Sequence, residues 1–69
     1  MNDYPIVEVE NLKDGEHYWV HVPMIEPRVY YCDVFKAETT LRNFRFNRNV
    51  EDLPKGTKIY GPIPKVNNG

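Results

Sequence analysis

The chain has 69 residues and a formal net charge of −1, with 41% hydrophobic and 13% aromatic residues. This length accommodates one small domain, and the hydrophobic content excludes a disordered chain. The nearly neutral charge excludes a histone-like protein that coats polyanions. We place the domain in residues 1–64 and a disordered tail in residues 65–69.

Cys32 is the only cysteine, so no disulfide can form within the chain. The first residues lack the basic and apolar stretches of a signal peptide, and no apolar run is long enough to cross a membrane. We therefore expect a soluble, cytoplasmic protein that does not bind membranes.

Alternation of apolar and polar residues predicts short strands along most of the chain, because six prolines and four glycines leave little room for helices. The first predicted strand covers residues 6–10 and leads into an Asp14-Gly15 turn, a common hairpin signal. The second covers residues 16–22 and alternates most clearly. Its predicted core face consists of Tyr18, Val20 and Val22.

A loop over residues 23–27, bounded by two prolines, leads into a third predicted strand over residues 28–36. Both faces of this strand are largely apolar, which is typical of a central strand with some burial on each side. The fourth predicted strand covers residues 41–47 and places Phe44 and Phe46 on the same face.

Asn49 is a typical helix-capping residue, so residues 49–53 are predicted to form one helical turn. A turn at residues 54–56 precedes a short last strand over residues 57–60. Five short strands predict an all-β domain, either a small antiparallel barrel or a twisted sheet of the SH3-like or OB-like kind. An α+β domain is the alternative, if residues 36–43 form a helix.

Charge is divided unevenly along the chain. Residues 1–38 carry three basic and eight acidic residues, whereas residues 39–69 carry six basic and two acidic ones. In a closed barrel the first and last strands are neighbours, so we expect Glu8 and Glu10 to pair with Lys58 or Arg45. The alternative is an acidic face and a basic face that suit assembly or a charged partner.

The polar face of the second strand is a candidate partner-binding surface. Trp19 lies there between His17 and His21, and an exposed tryptophan beside planar rings is typical of interface hot spots. Tyr31 of the third strand is a further candidate for this surface. The alternative is that the loop at residues 23–27 or a second subunit covers the tryptophan.

The segment at residues 42–48 interleaves three arginines with two phenylalanines, a combination that binds phosphates and stacks bases. It is the core of a candidate nucleic-acid or nucleotide site. The candidate residues are Arg42, Phe44, Arg45, Arg48 and Lys58. We nevertheless expect both phenylalanines to be core residues, because aromatic residues two apart on a strand usually pack inwards.

Neither a metal site nor a catalytic site is expected. On a strand, His17 and His21 lie about 13 Å apart at about 3.3 Å per residue, which is too far for one ion. Cys32 and Asp33 point to opposite faces of their strand, and a cysteine in this setting is typically a small buried apolar residue. We therefore expect a non-enzymatic protein without a cofactor.

Three motifs give the chain a resemblance to known proteins. They are Asp14-Gly15-Glu16-His17-Tyr18-Trp19-Val20, then Glu26-Pro27, and finally Ile59-Tyr60-Gly61-Pro62-Ile63-Pro64. In this pattern the chain resembles uncharacterised small accessory proteins of tailed phages and prophages over most of residues 10–64. The resemblance implies a phage origin and a place in the host cytoplasm, and it carries over no functional residue. Phage accessory proteins of this size commonly act by binding, as inhibitors of host defence or host enzymes.

Three functional hypotheses follow. The first is inhibition of a host protein, such as a defence component, through the aromatic surface around Trp19. The second is binding of nucleic acid or of a signalling nucleotide, as a sponge, in a pocket formed by an oligomer with the arginines of residues 42–48. The third is a structural subunit of virion assembly, which would form a homodimer or a higher oligomer.

Overall fold

One antiparallel sheet of five strands organises the computed structural model, which describes residues 4–64. The strands are β1 His17–His21, β2 Arg28–Phe35, β3 Glu38–Arg42, β4 Asn47–Asn49 and β5 Lys58–Ile63. Their order in the sheet is β4-β3-β2-β1-β5, and the edge strands β4 and β5 are not paired with each other. The all-β prediction is confirmed, and its open, twisted-sheet form is the one observed. The predicted tail at residues 65–69 lies outside the described residues.

The predicted first strand at residues 6–10 is wrong, because Val9–Asn11 form a 3-10 helical turn. Only the chain before this turn lies beside β5, where the Val7 N–H donates to the Ile59 carbonyl at 2.8 Å. β5 begins at Lys58, so beyond that residue the N-terminal segment has no strand with which to form backbone hydrogen bonds. The predicted Asp14-Gly15 turn is present, but it leads from this irregular segment into β1 instead of joining two strands.

β2 and β3 form a tight hairpin at Lys36 and Ala37. These residues have φ values of 51° and 67°, the paired positive values that match the twist of two-residue hairpins. β2 therefore ends one residue earlier than predicted. β3 covers most of residues 36–43, so the helical alternative for that region is wrong.

The predicted strand over residues 41–47 is interrupted by a turn. The Asn43 Oδ1 accepts hydrogen bonds from the backbone N–H groups of Arg45 and Phe46, both at 2.8 Å. This side chain competes with the sheet for backbone donors and reverses the chain between β3 and β4. Both phenylalanines consequently leave the core, contrary to expectation: Phe44 is 92% exposed and Phe46 is 43% exposed.

The core lies on one face of the sheet, here called the inner face. Its buried residues are Leu12, Tyr18, Val20, Val22, Tyr30, Cys32, Leu41 and Ile59. The predicted core face of the second strand is thereby confirmed. Connecting segments cover this face with Val7, Val50 and Leu53. Val50 begins the predicted helical turn, which the Asn49 side chain caps by accepting from the Glu51 N–H at 3.0 Å.

β5 is longer than predicted and contains a bulge. The register shifts between the pairs Trp19–Tyr60 and His17–Ile63, so β5 has one more residue than β1 over this stretch. Gly61, with φ of 147°, lies at the bulge. A Cβ atom there would lie 2.8 Å from Cδ1 of Tyr18, so glycine allows the strand to pack closely on the core.

Both edges of the sheet are limited. β4 has only three residues. At the other edge, the chain before the first 3-10 turn pairs with the free side of β5. The Gly61 N–H donates to the Pro5 carbonyl at 2.9 Å, and Ile6 forms a bridge with Tyr60.

Candidate binding surfaces

Strand pairing gathers the residues predicted for partner binding on the face of the sheet opposite the core, here called the outer face. His17 of β1 lies opposite Tyr31 of β2, and their rings meet edge to face with centroids 5.3 Å apart. Trp19 lies between Val29 of β2 and Tyr60 of β5. Directly paired residues share a face, so these side chains form one continuous surface.

This outer apolar surface is larger than the sequence predicted. Its members are Ile6, His17, Trp19, Val29, Tyr31 and Tyr60. Sequence reasoning missed Ile6, Val29 and Tyr60, because their place beside Trp19 depends on register between distant strands. The expectation that the first and last strands are neighbours pointed to contact between Ile6 and Tyr60, but not to contact of either residue with Trp19. His21 lies next to this surface, opposite Lys58 at the start of β5.

No element of residues 4–64 covers the outer face. Val29 is 38% exposed, Tyr31 40% and Ile6 59%, whereas Trp19 is partly buried among its neighbours. The loop at residues 23–27 does not cover the tryptophan, since its Ile25 and Glu26 line a cavity on the inner face. The third strand is a central strand as expected, and its outer side is only partly buried, with Phe35 66% exposed.

Charges on the outer face are balanced. Strand pairing places Asp33 and Glu38 there together with Arg42 and Lys58. A salt bridge of 2.9 Å joins Arg42 to Asp33, and it is the only ion pair among residues 4–64. The expected pairing of the glutamates at positions 8 and 10 with cations of the last strands is not formed, because that segment turns away from β5.

The predicted nucleotide-binding residues do not form one site. Arg42 and Lys58 lie on the outer face, and Phe44 lies at the exposed end of the β3–β4 turn. Arg45 and Arg48 instead line a cavity on the inner face. A turn within the segment separates arginines that an unbroken strand would have kept together.

This cavity, here called the arginine pocket, has a volume of about 110 Å³. Its apolar lining is Val20, Val22, Ile25, Tyr30 and Phe46, and its charged lining is Glu26, Arg28, Arg45 and Arg48. Sequence reasoning missed Arg28, although alternation along the third strand places it on the same face as Tyr30.

Arg48 lines the arginine pocket beside Phe46. Its guanidinium carbon lies 5.6 Å from the ring centroid of Phe46, within cation–π range. Its Nε atom is buried and has no hydrogen-bond partner among residues 4–64. Nε itself is closed to solvent, so a ligand in the cavity would bond to the terminal nitrogens of the guanidinium group.

Cys32 is fully buried in the inner face, as the sequence predicted. Burial raises the pKa of the thiol, and the nearby carboxylates of Asp14 and Asp33 raise it further. The thiol therefore stays protonated at neutral pH and is a poor nucleophile. Within residues 4–64, no cluster of three or more histidine, cysteine or acidic side chains could hold a metal ion. The same part of the chain contains no helix of the length and apolarity needed to cross a membrane.

No known protein family, curated protein or solved structure matches the chain. The outer apolar surface and the arginine pocket are therefore the two features from which a function can be inferred.

Proposed function

We propose that the protein is a non-enzymatic binding module that docks a partner protein on its outer apolar surface. The observation that supports this proposal is the uncovered outer face, on which Trp19 lies between Val29 and Tyr60 beside the His17–Tyr31 ring pair. Contiguous exposed apolar residues on a small protein are typical of interaction sites.

The geometry of β1 suits an interface anchor. β1 is paired on both sides, with β2 and with β5, so the backbone that carries Trp19 is held in place. Large aromatic side chains on a rigid platform lose little conformational freedom on binding. Tryptophan and tyrosine are also the residues most often found at interface hot spots.

The charge distribution favours a protein over a nucleic acid as the partner on this face. A polyanion needs several unpaired cations, yet Arg42 is bound to Asp33, which leaves Lys58 as the one unpaired cation that strand pairing places on this face within residues 4–64. The polar strands β3 and β4 instead provide a rim beside the apolar surface, an arrangement that protein interfaces share.

The resemblance to tailed-phage accessory proteins supports a host protein as the partner and inhibition of that protein as the effect. A defence component of the host is the class of target that we propose. The site of action would then be the host cytoplasm.

The test compares Trp19→Ala with Phe44→Ala, a matched control that removes an aromatic side chain of 92% exposure away from the outer face. Tagged wild-type protein and both variants are first checked for folding by circular dichroism and then used to isolate a stoichiometric partner from host lysate. The isolated partner is purified and its Kd is measured with each protein. Loss of a hot-spot side chain costs about 2 kcal/mol of binding free energy, so the Kd of Trp19→Ala should be at least about tenfold higher than that of the wild type. Phe44→Ala should bind like the wild type.

Equal affinity of the two folded variants for the partner would contradict the proposal. So would a dimer in analytical ultracentrifugation that Trp19→Ala converts to a monomer, because the outer apolar surface would then be covered by a second copy of the chain.

A further inference from the structure

We infer that the arginine pocket binds the phosphate of a small ligand that also carries a flat ring, the chemistry of a nucleoside monophosphate. The pocket lies on the inner side of the sheet, so this site is separate from the proposed docking surface and does not depend on it.

Three separate elements bring the positive charge together. Arg28 begins β2, Arg45 belongs to the β3–β4 turn and Arg48 lies in β4. None of the three forms a salt bridge with a carboxylate of residues 4–64. Glu26 is the one acidic residue of the lining, which leaves a net charge of +2 in a small volume.

This charge fits a phosphate monoester better than a carboxylate. A monoester carries a charge of about −2 at neutral pH, whereas a carboxylate carries only one negative charge. The planar guanidinium group donates two parallel hydrogen bonds to phosphate oxygens. Arg48 lies against the Phe46 ring and forms no salt bridge among residues 4–64, so its terminal guanidinium nitrogens can donate to a ligand.

The remainder of the pocket suits a flat ring. Its floor contains the buried side chains of Val20, Val22 and Tyr30. The volume of about 110 Å³ is of the same order as a cavity of about 150 Å³ that accommodates benzene. The pocket is therefore large enough for the ring alone, and the phosphate must extend from it along the partly exposed Phe46 to the guanidinium groups of Arg45 and Arg48.

One chain supplies all of these groups. This differs from the expectation of a nucleotide pocket built by an oligomer, and it replaces Arg42 and Lys58 with Arg28 and Phe46 as companions of Arg45 and Arg48. Phe44 stays beside Arg45, whose guanidinium carbon lies 5.9 Å from the centroid of the Phe44 ring.

The experiment measures binding of the four common nucleoside monophosphates to the full chain by isothermal titration calorimetry at low ionic strength. Adenosine, inorganic phosphate and benzoate are the comparison ligands, since they present the ring alone, the anion alone and a ring with a carboxylate. The variants are Arg45→Ala, Arg48→Lys and the matched control Arg42→Ala, which removes a cation of the same segment from the opposite face. Circular dichroism confirms that each variant is folded.

We expect saturable binding of at least one nucleoside monophosphate, with affinity at least about tenfold higher than that of adenosine, inorganic phosphate or benzoate. Loss of a hydrogen bond to a charged group predicts an affinity about tenfold lower for Arg45→Ala and for Arg48→Lys. Arg42→Ala should change the affinity less than about twofold. Arg48→Lys keeps the charge, so its effect reports the planar geometry of the guanidinium.

Absence of saturable binding by all four monophosphates would overturn the inference. An equal loss of affinity in Arg42→Ala would also overturn it, because the attraction would then be a general effect of charge. Benzoate binding as tightly as the best monophosphate would overturn the assignment of a phosphate. Adenosine binding as tightly as the best monophosphate would also overturn it, because the arginines would then contribute nothing to the affinity.

Discussion

The two faces of the sheet carry similar apolar and aromatic residues, but these residues are buried on one face and exposed on the other. On the inner face, Tyr18, Cys32 and Leu41 have exposed fractions of 1% or less, whereas on the outer face Tyr31 is 40% and Phe35 is 66% exposed. The difference comes from the connections, since the segments before β1 and after β4 both fold over the inner face. Residue type therefore does not decide burial in this chain. The apolar residues of the outer face are left available for binding.

The largest expected effect comes from removing a side chain of the inner face. Leu41→Ala deletes a fully buried side chain of the core. Such truncations lower the free energy of unfolding by about 2–5 kcal/mol, and urea denaturation monitored by tryptophan fluorescence measures the change. A loss below about 1 kcal/mol would mean that the inner face is not the true core.

A smaller effect is expected where the backbone itself approaches the inner face. Gly61→Ala places a Cβ atom 2.8 Å from Tyr18 at a φ of 147°, so the bulge or the ring must move. We expect destabilisation of about 1–3 kcal/mol in the same denaturation assay. Gly15→Ala is a useful control, because its Cβ would have no neighbour within 4 Å although its φ of 87° is also positive. Equal destabilisation by both changes would show that strain in φ, and not contact with Tyr18, is the cause.

The smallest effect is expected on the outer face. Phe35→Ala removes a large side chain that is 66% exposed, and the free energy of unfolding should change by no more than about 0.5 kcal/mol. The measurement is again urea denaturation, alongside Leu41→Ala. If the two variants lose similar stability, the outer face is covered in solution and the contrast between the faces disappears.

Local chemistry explains what the sequence predicted well. The period-two alternation around Trp19, the two prolines that bound the following loop and the capping side chain of Asn49 each act within a few residues. These features predicted β1, β2 and the helical turn, and they placed His17, Trp19 and His21 on a common face. Patterns of this kind depend on backbone geometry that is fixed before the fold is complete.

Competition for backbone donors and the register between strands explain the features that the sequence did not predict. The segment at residues 42–48 alternates like a strand, yet the side chain of Asn43 takes the backbone donors that a strand would need. The joining of Tyr60 to Trp19, and of Arg28 to Arg48, depends on which strands become neighbours. A single sequence does not state that arrangement, so both surfaces were only partly predicted.

The two limited edges of the sheet also bear on how the protein behaves at high concentration. Unpaired strand edges are templates for runaway polymerisation into fibrils. Here β4 offers three residues, and the chain from Pro5 to Val7 occupies the exposed side of β5. The two edges from which a cross-β fibril would grow are therefore protected, although the aromatic outer face is open. Contacts with other molecules are directed to the faces of the sheet and not to its edges.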